Sequence, residues 1–217
     1  MSLSWSFSAL KDYEGCPRRY HEVRVLKNHT TEKTTQIVYG EELHKAAEEY
    51  VLGTPLPPQF SFIQDALDAL MSKDGEKLPE IKMAVTEQLE PCEWFSKEAW
   101  LRGVADLLIL DTKNNIAWVV DYKTGNNKYP DKDQLELMSL LTFAHYPEVK
   151  QVNSALMFVV KNSLITHKVM HTDKEALWWK YRERVAKIVA SLSNDVWNPK
   201  QTPLCGWCPV RSCEFNR

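Results

Sequence analysis

The stretch Trp118-Val-Val-Asp-Tyr-Lys-Thr-Gly125 ends an apolar run in an acid, with a lysine two places later. Side chains two apart on a strand share a face, so Asp121 and Lys123 are expected to point the same way. Gly103-Val-Ala-Asp106 lies one strand upstream, and a turn centred between Lys113 and Asn114 sets Asp106 directly opposite Asp121. Opposed residues have Cβ atoms about 4.5–5.5 Å apart, where like charges destabilise a sheet. Two carboxylates at that separation need a shared proton or a cation. Mg²⁺ and similar hard ions take carboxylate oxygens and keep positions for water and phosphate. An ammonium at Lys123 is placed to offset charge developing on phosphate oxygens. The plain alternative is an ordinary ion pair at a strand end.

A second constellation is built from thiols. The cysteines are Cys16, Cys92, Cys205, Cys208 and Cys213, and the last three form Cys-x2-Cys-x4-Cys near the C-terminus. That crowding fits a metal or cluster site better than a secreted disulfide framework. Three thiolates need a fourth, and by spacing zinc and a [4Fe–4S] cluster fit equally.

Positioning these groups requires a set of elements that the pattern of apolar residues outlines. Ser8 reads as the N-cap of a short helix with Leu10 and Tyr13 on one face, stopped by Gly15 and Pro17. Residues 27–36 read as a loop. A helix over 38–52 puts Leu43, Ala46, Ala47 and Tyr50 on one face, with His44 one step round from them. A second helix over 59–72 is expected to bury Phe62, Ile63, Ala66, Leu67 and Leu70, and weak helical character continues over 79–84. Strands follow over 84–90, 98–110 and 116–123, then a helix over 131–145, strands over 153–160 and 164–171, and a last helix from Thr172 or Asp173 to Leu192. Helices, a three-stranded meander, a helix, a hairpin and a helix make an α/β or α+β domain with a mixed sheet.

Composition sets the outer bounds. With 217 residues, 44% of them hydrophobic, the chain suffices for one sizeable core, and residues 1–217 read as a single domain. No apolar run reaches the roughly 20 residues that span a bilayer, and no signal-peptide core opens the chain, so a cytoplasmic setting is expected. A net charge of -2 excludes a globally basic coat but not a local basic groove. Arg18, Arg19, Arg24 and Lys27 cluster near the first cysteine, and Lys128 and Tyr129 follow the acidic motif. Tyr20 or Trp207 is a candidate for stacking on unpaired bases, although Trp207 reads more simply as packing around the thiols. Trp178 and Trp179 read as core and boundary residues.

Gly103-x-x-Asp106 followed by Asp121-Tyr-Lys-Thr-Gly125 resembles the core signature of the PD-(D/E)xK nuclease superfamily. Leu10-x-x-Tyr13-x-x-Cys16-Pro-x-x-Tyr20 and Gly40-x-x-x-His44 are similar to its RecB-like branch, which includes the AddB nuclease domain and CRISPR-associated iron–sulfur exonucleases. The resemblance implies a restriction-endonuclease-like core over 38–192. It also implies a lobe made of 1–30 and 195–217, where a four-cysteine site joins the first helix to the tail.

By the same resemblance, His44, Asp106, Asp121 and the backbone carbonyl of Tyr122 hold Mg²⁺ or Mn²⁺, and Lys123 is the catalytic lysine. Gln134 occupies the family's Gln-x-x-x-Tyr element, although Met138 stands where the tyrosine is usual. Glu87 matches an acidic position of the first strand. Cys16 joins Cys205, Cys208 and Cys213, with Cys92 left outside, and a [4Fe–4S] cluster is favoured over zinc. The activity implied is a metal-dependent DNA exonuclease acting on single strands or free ends. The alternative is a non-catalytic nucleic-acid-binding module within a recombination or CRISPR-adaptation complex.

Overall fold

The computed structural model describes residues 3–29, 33–126, 128 and 131–216. The chain divides into two compact units, one of Leu3–Glu32 with Trp178–Arg217, the other of Lys33–Leu177. Tyr129 lies outside the described residues.

The larger unit is built on a five-stranded sheet in the order β1-β2-β3-β4-β5. Its strands are β1 (Glu76–Val85), β2 (Leu101–Asp111), β3 (Ile116–Lys123), β4 (Gln151–Phe158) and β5 (Ser163–Met170). The first three run antiparallel, β3 and β4 are parallel, and β4 and β5 form an antiparallel hairpin. The parallel step needs a crossover, and α5 (Lys132–His145) supplies it. β2 is buried from Ala105 to Asp111, as a central strand covered on both faces must be.

One face of the sheet packs on α3 (Thr35–Val51) and α4 (Gln64–Met71), through Leu43, Ala47, Phe60, Leu67, Leu107 and Tyr122 among others. α5 is apolar nearly all round, from Leu135 to Phe143, as a buried helix should be. Its two buried hydroxyls, Ser139 and Thr142, each donate at 2.8 Å to the carbonyl one turn back, so neither is stranded. Gly103 is what lets α5 lie close: a Cβ there would stand 2.6 Å from Leu141 Cδ1 and 2.8 Å from Met138 Sδ.

Three expectations are corrected in this unit. Residues 79–84 are strand rather than weak helix, because β1 begins at Glu76 and absorbs Pro79 as an edge residue. The strand expected over 84–90 therefore ends at Val85, and Glu87 lies beyond it. The helix expected over 59–72 opens as a 3-10 turn, Pro58–Ile63, which shifts the phase: Phe60 is buried and Phe62 is exposed.

In the smaller unit, α1 (Phe7–Gly15) is capped by Ser6, whose Oγ accepts from the Ala9 amide, so Ser8 lies inside the helix rather than at its expected boundary. α2 (Pro17–Tyr20) follows, and most of α6 (Lys174–Asn194) belongs here. Tyr13 donates to the Lys187 carbonyl at 2.9 Å, and Arg184 pairs with both oxygens of Glu14 at 2.6 and 2.8 Å. Tyr20 is buried and stacks on Trp197 with centroids 6.1 Å apart, which removes it as a surface platform for bases.

Candidate active site

β2 and β3 keep the expected register, with Leu107 opposite Val120 and Asp111 opposite Ile116. The ladder stops one position short of Asp106 and Asp121. There Asp106 Oδ2 takes the Tyr122 amide proton at 2.6 Å, so a side chain replaces the missing backbone partner and fixes the carboxylate. On its other side Asp106 Oδ1 lies 3.4 Å from His44 Nδ1. His44 Nε2 donates to the Tyr122 carbonyl at 3.0 Å, which ties α3 to the end of β3.

β1 adds a residue absent from the ligand set that the resemblance implies. The β1–β2 register is unbroken from Glu76–Leu110 to Val85–Leu101 apart from one position, where Glu80 would face Asp106. Glu80 has φ 48°, a left-handed value that costs a non-glycine residue and lifts it out of the ladder. Its carboxylate is thereby turned to the site: ligand atoms of His44, Glu80 and Asp106 lie within 4.8 Å of one another. Among the described residues this is the one such group of three. The available signal was a lone glutamate behind a proline, in a segment whose helical pattern hid its facing.

Asp121 and Lys123 stand beside this trio. Lys123 Nζ is 2.6 Å from Asp121 Oδ2, and Gln134, in the first turn of α5, donates its amide to Oδ1. Both carboxylate oxygens are thus engaged by side chains, and the Asp121 carboxylate is not part of the close group of three. Oδ2 is buried, and the Lys123 ammonium is the group that meets it. Met138 is buried where the resemblance expects a tyrosine, filling the space above Gly103.

The electrostatics follow from crowding acids in a dry place. Burial, together with the Asp106 charge, pushes the Asp121 carboxyl up to about 6, against the pull of Lys123 and His44. Burial and Asp106 likewise raise Glu80. For His44, burial works against the charged ring, but the hydrogen bond and charge of Asp106, helped by Asp121 and Glu80, prevail and raise it. Burial pushes the Tyr122 phenol up as well, and its hydroxyl has no hydrogen-bond partner among the described residues. His44 and Glu80 open onto a groove of about 650 Å³ that Gly40, Glu41, Glu48 and Thr124 also line.

The residues present fit a divalent cation. Two carboxylates and an imidazole converge, burial and the Asp106 charge raise the proton affinity of Glu80 and Asp121, and an ion would offset that charge. His44 Nε2 and the Tyr122 carbonyl are 3.0 Å apart, and adjacent ligands of an octahedral ion at about 2.0–2.1 Å stand about 3 Å apart.

The thiols gather in the other unit. Cys16, Cys205, Cys208 and Cys213 all line one cavity of about 1100 Å³, and Cys92 does not. The Lys200 amide donates to Cys16 Sγ at 3.4 Å and the Thr202 amide to Cys205 Sγ at 3.3 Å. Asn216 Nδ2 holds the carbonyls of Cys205 and Cys208 at 3.2 and 2.8 Å. None of the cysteines is in a disulfide.

A mixed sheet with acids and a lysine at the inner ends of its central strands, flanked by helices, is the architecture of a restriction-endonuclease-like fold. The chain belongs to the PD-(D/E)XK nuclease superfamily, whose family model matches residues 4–213. Among solved structures it is similar to a Eubacterium rectale protein provisionally named an exonuclease. Identity is 15%, the TM-score 0.55, and the match covers 95% of this chain and 87% of that one. It also matches SSO0001 at 12% identity and a TM-score of 0.44, covering 100% of this chain and 88% of that one. No curated protein matches it. Among the described residues no helix is long and apolar enough to cross a membrane.

Proposed function

We propose that this chain is a Mg²⁺- or Mn²⁺-dependent deoxyribonuclease that works as an exonuclease on single strands or free DNA ends. The convergence of His44, Glu80 and Asp106 beside the Lys123–Asp121 pair carries the reading. His44, Glu80, Asp106, Asp121 and the Tyr122 carbonyl are the groups that would hold the ion. When bound, a divalent ion supplies Lewis-acid polarisation of the phosphoryl group and a more acidic water. The chain's own part is positioning. Asp106 is fixed by the Tyr122 amide, and Gln134 orients Asp121 so that Oδ2 faces Lys123. Lys123, a third exposed, reaches both the carboxylate and solvent, where its ammonium steadies an attacking water or the negative charge on phosphoryl oxygens. The exonuclease name borne by the structural relative agrees with action at ends.

The same proposal assigns a [4Fe–4S] cluster to Cys16, Cys205, Cys208 and Cys213, in a lobe of residues 1–30 and 195–217, with residues 38–192 forming the nuclease core. The shared cavity supports it, as do the amide donors to two of the sulfurs, which suit thiolates bridged to a cluster. Cys208→Ala should lose a brown chromophore and stability, and a colourless wild type holding one zinc per chain would overturn the assignment.

End-labelled single- and double-stranded DNA, incubated with each metal in turn, tests the activity. Asp121→Ala and Lys123→Ala are expected to abolish cleavage while DNA binding persists. Absence of cleavage by the wild type with either metal would end the enzymatic reading.

A further inference from the structure

Trp207 lines the cavity that the four thiols share, yet it is 81% exposed, and Leu204, three residues before it, is 70% exposed. A tryptophan left in water forfeits the large burial energy that makes it rare on free surfaces. Its backbone, by contrast, is held. Cys205–Trp207 forms a 3-10 turn, and the single Asn216 side chain donates to the carbonyls of Cys205 and Cys208 on either side. The indole is therefore presented from a braced turn.

The surroundings carry an excess of positive charge, although Arg18 pairs with Glu22 at 3.4 Å. Arg18 and Arg19 from α2, and Lys200 and Arg211 from the tail, line the cavity beside Trp207. Asp12 is the acid on that wall, and Arg19 at 2.9 Å and Arg24 at 2.6 Å neutralise it. A chain of net charge -2 has here concentrated cations around an exposed aromatic plane. Aromatic faces stack on any unpaired base, and neighbouring cations track the phosphates, a pairing characteristic of single-strand contacts.

We infer that Trp207 is a base-stacking platform for single-stranded DNA, flanked by a phosphate track that includes Lys200 and Arg211. The partner is single-stranded DNA because base pairs inside a duplex have both faces covered by their neighbours. The inference rests on the nuclease reading for its choice of partner, yet it concerns binding alone.

Fluorescence anisotropy of a labelled oligothymidylate, with the full chain and no added divalent metal, tests it. Trp207→Ala should weaken binding about tenfold or more, and Trp207→Phe should recover most of the loss. Arg211→Gln should instead flatten the dependence of affinity on salt. Equal affinity of Trp207→Ala and wild type would overturn the platform. So would a wild-type dimer that Trp207→Ala turns into monomer, since the patch would then bind a second copy. Wild-type cleavage is measured separately: a protein that binds through Trp207 but never cleaves sinks the nuclease reading and leaves the platform standing.

Discussion

Replacing Asp121 with asparagine should make the metal-free protein more stable while removing its activity. The carboxyl is 5% exposed and is pushed up from 3.8 to about 6 by burial and by Asp106. Its folded value exceeds its unfolded one, so the unfolded chain gives up this proton first as pH rises. Stability from this group is fully present below about pH 4 and is lost on passing through about pH 6. Each unit of displacement is worth about 1.4 kcal/mol, so the ionised carboxylate costs the fold about 3 kcal/mol at pH 8. Asparagine keeps the shape and an acceptor for Gln134. The pull of the Lys123 ammonium is already contained in that displacement and is not subtracted again. The expected gain is about 3 kcal/mol, or about 6–12 °C in Tm for a chain of this size. Thermal unfolding of Asp121→Asn and wild type at pH 8 and pH 4, without metal, reads it directly. A variant no more stable than wild type at pH 8, or one whose gain persists at pH 4, refutes the reasoning. Added Mn²⁺ should narrow the gap, since an ion bound only by the folded wild type stabilises it by mass action.

Three further outcomes follow from the same geometry. Mn²⁺ should bind more tightly as pH rises, by up to about tenfold per unit for each proton displaced, because His44 and Glu80 are both held toward their protonated forms; calorimetry in buffers of different ionisation enthalpy counts the protons, and pH-independent binding would contradict it. Tyr122→Phe removes a buried hydroxyl that has no partner and should leave stability unchanged or raise it by about 1 kcal/mol in urea unfolding, whereas a loss of that size would mean the phenol is bonded after all. Gly103→Ala should cost about 1–3 kcal/mol by overpacking against Met138 and Leu141, and should lower cleavage with it, because the displaced helix carries Gln134; full activity at reduced stability would separate the two.

What could be read in advance depended on how local the cause was. β3 spans Ile116–Lys123 as expected because its alternation and its turn lie within a dozen residues, and the register with β2 follows from the same turn. Thr34 and Asp131 cap α3 and α5 with their own side chains, so those boundaries moved by only a few residues. β1 was hidden because Pro79 and the left-handed Glu80 break its pattern, and only the edge position on the sheet makes that segment a strand. Phe60 and Phe62 exchanged places for a similar reason. A 3-10 turn advances about 120° per residue rather than about 100°, and no single residue in Pro58–Ile63 announces the difference.

The site itself shows why chemistry was more legible than packing. Asp121 and Lys123 stand out in an apolar strand because a buried charge is costly, and the fold keeps such a charge only where something else requires it. Glu80 carries the same burden by a different route, as backbone strain, and strain leaves no trace in residue type. Trp207 inverts the logic: an apolar group stands in water, and Arg18 and Arg19, on the same cavity, come from α2 rather than from its neighbours in sequence. Each of the three positions sacrifices stability, by desolvation, by backbone strain or by exposure. Glu80 and Asp121 share one place by geometry with His44 and Asp106, the proposed nuclease site, and the oligothymidylate measurement decides whether Trp207 serves the same function.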